Sequence, residues 1–85
     1  MKEFKYVIKD EIGIHARPAG MLSKLAGAFE SKIKISKGEA SVDAGKLIAL
    51  MGMGIKCGDE ITITAEGSDE AEAIEKIQKF VTENL

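Results

Sequence analysis

Apolar and polar residues alternate with period two in three stretches of the chain. Phe4, Tyr6 and Ile8 share one face of residues 4–9, and Ile33 and Ile35 share one face of residues 32–37, with lysines opposite. Ile61-Thr62-Ile63-Thr64-Ala65 repeats the pattern near the end. Gly38 breaks the second run, and residues 40–43 read as the short return strand of a hairpin. Strands with one polar face belong to an antiparallel sheet covered on one side only. Three other stretches supply the cover. Pro18, Leu22, Leu25, Ala26 and Phe29 recur at helical spacing, with Ser23, Lys24 and Glu30 turned away. Pro18 suits the first turn, where N–H groups are spare. A closing helix starts at Ser68 as cap, with Asp69 and Glu70 at its positive end and Lys76 and Lys79 toward its negative end. Its buried stripe is Ala73, Ile74, Ile77, Phe80 and Val81. A short apolar helix over residues 46–53 is ended by Gly54. The order βαββαβα predicts an α+β fold, a four-stranded antiparallel sheet with three helices on one face.

Composition narrows the class. Eighty-five residues leave room for one domain, spanning residues 1–85. With 45% hydrophobic and 31% charged residues the chain can build a core, which excludes a disordered tail. Twelve basic residues against 14 acidic give a net charge of −2, which argues against a nucleic-acid binder. One cysteine makes neither an internal disulfide nor a cysteine metal cluster, and fits a reducing compartment. Nothing after Met1-Lys2-Glu3-Phe4 reads as a signal peptide. The most apolar run, residues 47–55, falls well short of the about 20 residues that a membrane span needs. The expectation is a cytoplasmic domain with no direct membrane binding.

Candidate chemistry concentrates in Ile12-Gly13-Ile14-His15-Ala16-Arg17-Pro18, around the only histidine. His15 falls at or just before a helix N-terminus, where amides lack intrahelical partners and the dipole is positive. Such a terminus binds anions. Arg17 adds a planar cation suited to forked hydrogen bonds with phosphate oxygens. As a cation at the positive end of a helix it costs about 0.3–1 kcal/mol, which a bound anion would reverse. With no second histidine or cysteine beside it, His15 suits a phosphoryl nucleophile better than a metal ligand. From spacing alone two readings stand: that nucleophile, and an ordinary surface or capping histidine.

The run Gly13-Ile14-His15-Ala16-Arg17-Pro18-Ala19 resembles the active-site signature of HPr, the histidine-containing phosphocarrier family of the bacterial sugar phosphotransferase system. Leu50-Met51-Gly52-Met53-Gly54-Ile55 resembles that family's second-helix segment, and Gly58-Asp59-Glu60-Ile61-Thr62-Ile63 its approach to the fourth strand. The resemblance implies an open-faced sandwich. It implies that His15 takes a phosphoryl group on Nδ1 from phosphorylated enzyme I and gives it to a histidine of a sugar-specific enzyme IIA. Arg17 and the backbone N–H groups of Ala16 and Arg17 would steady the phosphoryl oxygens. Gly54 would approach the phosphate, although it reads equally well as a helix-ending glycine. The protein would then be a covalently modified carrier without turnover, needing neither cofactor nor metal.

A short helix has one face for a sheet, so some of Leu47, Ile48 and Met51 must look outward, while Gly20 and Met21 sit on the first helix near His15. In the family the equivalent positions dock enzyme I and enzyme IIA, with Lys24 on the rim. Two positions depart from the family. Lys46 stands where many Gram-positive members carry a serine phosphorylated by a dedicated kinase, so that switch is expected to be missing. Ile12 replaces a small or hydroxyl residue. Gly45-Lys46-Leu47 is no P-loop, since Leu47 replaces the Mg²⁺-binding hydroxyl, and Gly52-Met53-Gly54 lacks the third glycine of a dinucleotide fingerprint. Cys57, beside Lys56, reads as incidental. Two rival functions remain: a paralogue regulating nitrogen or carbon metabolism by its phosphorylation state, and an amino-acid sensor dimerising through its sheet. The lysine-rich outer strand faces oppose the latter and favour a monomer.

Overall fold

The alternating segments form the four strands of one sheet. In the computed structural model, which describes all residues from Met1 to Leu85, they are β1 (Lys2–Val7), β2 (Lys32–Lys37), β3 (Ala40–Asp43) and β4 (Glu60–Glu66). The helices are α1 (Ala16–Gly27), α2 (Leu47–Gly52) and α3 (Glu70–Asn84). The order across the sheet is β1-β4-β2-β3, and every neighbouring pair is antiparallel. The architecture is the open-faced sandwich, α+β, with the helices on one face.

Register follows from burial. Ile63 of β4 lies opposite Phe4 of β1 and Ile35 of β2, so one row of the inner face is apolar across three strands. A slip of one residue would turn that row to solvent. Ile33, Ile35, Ile61, Ile63 and Ala65 meet Ala19, Leu22 and Ala26 of α1, Leu50 of α2, and Ala73, Ile77 and Val81 of α3 in one core. Each large aliphatic side chain buried in this way contributes about 1.5–3 kcal/mol. The other face is polar. Lys5, Thr62, Ser36 and Ser41 form one of its rows, and Glu3, Thr64, Lys34 and Asp43 the next.

Several boundaries differ from the expected ones. β1 begins and ends two residues earlier than its alternation suggests; Ile8 is buried past the strand end, tied to the 58–59 turn by Ile8 N–H to Asp59 O (2.9 Å) and Gly58 N–H to Ile8 O (2.8 Å). α1 starts at Ala16, not Pro18, because the third helical position needs an N–H no more than the first does. α2 is the shorter Leu47–Gly52, with Lys46 as its N-cap. Leu25, Phe29, Ile74 and Phe80 are only half-buried and lean on the rim of the core.

Ser68 does not cap α3. Asp69 is the N-cap residue, and its carboxylate turns away from its own helix to accept Glu30 N–H and Ser31 N–H, each at 2.9 Å, and the Ser31 hydroxyl. Ser68 instead donates to Glu30 Oε2 (2.8 Å). These bonds bind the α1–β2 connection to the β4–α3 turn, and Gly67 permits the approach: a Cβ there would lie 2.6 Å from Ser31 Cα. The lysines expected at the negative end of α3 lie short of it. The helix runs on to Asn84 with no basic residue in its last turn, and Lys76 pairs with Glu72 at 2.9 Å.

Candidate functional site

The segment joining β1 to α1 is held along its length by hydrogen bonds. Lys9 N–H and Asp10 N–H donate to Leu85 O at 2.6 and 2.8 Å, which docks the end of α3 against the loop. Ile12 N–H donates to Asp10 Oδ1 (2.9 Å) and Gly13 N–H to Asp10 O (3.0 Å), closing a tight turn. Ile14 N–H then reaches Ile55 O at 3.1 Å. Gly13 is buried at φ +79°, and a Cβ there would stand 2.5 Å from Ile55 O and 2.7 Å from Lys56 Cα. Only a residue without a side chain lets the two loops meet so closely.

The 54–59 loop is fixed in turn by Lys37, whose Nζ lies 2.8 Å from Asp59 Oδ2 and 3.2 Å from Gly54 O. The Lys37 hydrogen bond, followed by that from Lys56 N–H (2.8 Å), holds the Asp59 carboxyl below the usual carboxylate range. His15 therefore follows a loop whose every support is anchored elsewhere.

His15 is the N-cap residue of α1, with extended backbone (φ −117°, ψ −177°) and no side-chain capping bond. Its carbonyl accepts Ala19 N–H at 2.9 Å, while the amides of Ala16 and Arg17 have no protein acceptor. Pro18 removes a third donor, so the exposed amide dipoles concentrate on two residues beside the imidazole. His15 is half-buried and Arg17 exposed. The ion pairs of the molecule are Met1–Glu70, Lys37–Asp59 and Lys76–Glu72, so the Arg17 guanidinium is engaged by no carboxylate. His15, Arg17, Pro18 and Met21 line an open depression of about 400 Å³ together with Asp10 and Asn84. The last two were not among the residues singled out in the sequence. Asn84 lies nearly a whole chain away and signals nothing locally, whereas Asp10, two residues before an amide it accepts, fits an Asx turn.

Apart from Met21, the candidates for partner docking do not line this depression. Met21 is 50% exposed, Leu47 38%, Ile48 83% and Met51 42%, so all three apolar residues named on α2 look outward, and Leu50 alone faces the core. Lys24 is exposed and Gly20 half-buried. Met21 and Lys24 also border an apolar groove of about 410 Å³ between α1 and α3, completed by Leu25, Ala28 and Phe80. Gly54 does not line the depression. It follows the C-cap Met53 at φ +64° and donates to Met51 O at 3.4 Å, as a helix-ending glycine does, one residue before the carbonyl that holds Ile14. Cys57 is exposed, with Sγ 3.9 Å from Lys9 O. No helix is long and apolar enough to cross a membrane.

A family model described as the PTS HPr component phosphorylation site matches residues 2–83. The chain is 42% identical over 85 residues to the phosphocarrier protein HPr of Mycoplasma genitalium, covering 99% of this chain and 97% of that one. It is 44% identical over 79 residues to the HPr of Mycoplasma pneumoniae, covering 92% and 90%. Among solved structures, a histidine-containing phosphocarrier protein from Mycoplasma superimposes with a TM-score of 0.94 at 39% identity, over 96% of this chain and 93% of that one. An HPr dimer from Thermoanaerobacter tengcongensis gives 0.78 at 35% identity, over 98% and 95%.

Proposed function

The chain belongs to the HPr family of phosphocarriers, and we propose that it accepts a phosphoryl group on His15 from phosphorylated enzyme I and passes it to a histidine of sugar-specific enzyme IIA proteins. One observation carries the reading. An imidazole, two amides without acceptors and a guanidinium without a carboxylate partner converge at the start of α1, beside an open depression.

In the transfer, the lone pair of the unprotonated His15 nitrogen forms the new N–P bond. The donor's N–P bond breaks and its electron pair returns to the donor imidazole. Each ring keeps the proton on its other nitrogen, so no separate base is needed. A loose phosphoryl-transfer transition state asks the protein mainly to position groups and neutralise charge. Arg17 and the amides of Ala16 and Arg17 supply donors directed at the phosphoryl oxygens. The anchored loop spares the reaction a reorganisation step. Gly54 would contribute through its backbone only if its loop turned toward the phosphate.

Partners would dock on the apolar surface of Gly20, Met21, Leu47, Ile48 and Met51, with Lys24 steering encounter from the rim. We take the protein to work as a single cytoplasmic domain and a monomer, a carrier with no turnover of its own; gel filtration tests the monomer.

The deciding experiment is incubation with enzyme I and labelled phosphoenolpyruvate. The expected product carries acid-labile, alkali-stable label that is lost in His15→Ala. Arg17→Ala should keep the circular dichroism spectrum and slow transfer by on the order of 10²–10³, the usual effect of removing one anion-stabilising donor. Label retained in His15→Ala would overturn the assignment of the nucleophile.

A further inference from the structure

The His15 depression contains a negative charge that a phosphate site has no need of. Asp10 lines it with His15 and Arg17. Its position is not an accident of a mobile side chain: Oδ1 accepts Ile12 N–H at 2.9 Å, its backbone N–H donates to Leu85 O, and its carbonyl accepts Gly13 N–H. Nor is it the resting partner of Arg17, since the two form no ion pair. The other polar side chain at the rim, Asn84, is neutral and donates to Phe80 O at 2.9 Å. An arriving phosphoryl group, close to a dianion, therefore meets one attractive cation and one fixed anion.

Resting on the carrier reading above, we propose that Asp10 sets the stability of the phosphoryl group on His15. Its carboxylate opposes part of the attraction of Arg17 and the helix amides, so that the group remains transferable to the next acceptor. A site holding only donors and cations would bind the phosphoryl group tightly and release it slowly. Asp10 touches no reacting atom in this scheme. It acts through the field at the depression, with the Ile12 hydrogen bond keeping the carboxylate there.

Asp10→Asn separates charge from structure, because the amide oxygen still accepts Ile12 N–H. The wild type and this variant are equilibrated with enzyme I, phosphoenolpyruvate and enough pyruvate to leave about half of the wild type phosphorylated, and the phosphorylated fraction is read by ³¹P NMR. The expected result is a shift toward the phosphorylated form by about threefold to tenfold, the size a unit charge exerts across a partly solvated site. The shift should shrink as salt is raised, and Arg17→Ala should move the equilibrium the other way. Normal labelling of His15 with an unchanged equilibrium in Asp10→Asn, or a shift indifferent to salt, would overturn the role of Asp10 and leave the carrier reading intact. No label on His15 in the wild type would overturn the carrier reading and this inference with it.

Discussion

Gly13→Ala tests whether the histidine loop is held by a contact that only glycine allows. The backbone at position 13 has φ +79°, where an L-residue costs about 1–2 kcal/mol. The new methyl would stand 2.5 Å from Ile55 O and 2.7 Å from Lys56 Cα, well inside contact distance of backbone atoms that cannot rotate aside. Relief requires the two loops to part, adding about 1–3 kcal/mol of overpacking strain. The Ile14 N–H to Ile55 O bond is then lost or stretched, worth about 1 kcal/mol. Together the expected destabilisation is about 3–6 kcal/mol, a large share of the about 4–13 kcal/mol usual for a chain of this length. At about 4–8 °C per kcal/mol, the melting temperature should fall by at least about 10 °C. Urea and thermal unfolding followed by circular dichroism measure it. Gly20→Ala is the control: a Cβ there meets nothing within 4 Å inside α1, so a gain of about 0.5–1 kcal/mol is expected. If Gly13→Ala loses less than about 1 kcal/mol, or if both variants behave alike, the close approach of the loops is not what fixes the histidine.

Further outcomes follow from other parts of the molecule. The Ser31 hydroxyl first, then Glu30 N–H, lower the Asp69 carboxyl below its ordinary value of 3.8, so its contribution is complete above that value and is lost as pH falls through the depressed one. Urea titrations from neutral pH down to about pH 2 should show that acid loss in the wild type and a flatter profile in Asp69→Asn, which starts less stable; parallel profiles would refute the link. Ile48→Ser, at a residue 83% exposed, should change stability by less than about 0.5 kcal/mol yet raise the KM for phosphorylation by enzyme I, with kcat unaltered. Incubation with an HPr kinase and ATP should leave the peptide around Lys46 unmodified; stoichiometric serine phosphate there would contradict the loss of that switch.

The sheet and the three helices were legible because their signals are local. Ile33 and Ile35 alternate with lysines, and Ala73, Ile77 and Val81 recur on one side of α3. The position of His15 and Arg17 at a helix start was legible for the same reason: a glycine, a histidine, an arginine and a proline within six residues mark a loop running into a helix. The errors arose where distant partners decided the outcome. Ser68 and Asp69 are both capping residues, and only the neighbouring 30–31 turn, with its two free amides, selects Asp69 and turns its carboxylate away from its own helix. Leu25 and Phe80 match the periodicity of buried stripes, yet they line an open groove shared by α1 and α3, which lie far apart in the sequence. Asp10 and Asn84 meet at the depression because the end of α3 docks on the loop after β1, which no window of sequence contains.

The uncovered side of the sheet offers a practical handle. Lys5 stands there in a row with Thr62, Ser36 and Ser41, behind the layer that separates it from the histidine. A dye or surface linker attached to a cysteine placed at position 5, with Cys57 changed to serine, would project from the rear of the molecule. The helical front, with His15 at the start of α1, then stays open to solution, so a tethered copy can be presented to one candidate partner after another.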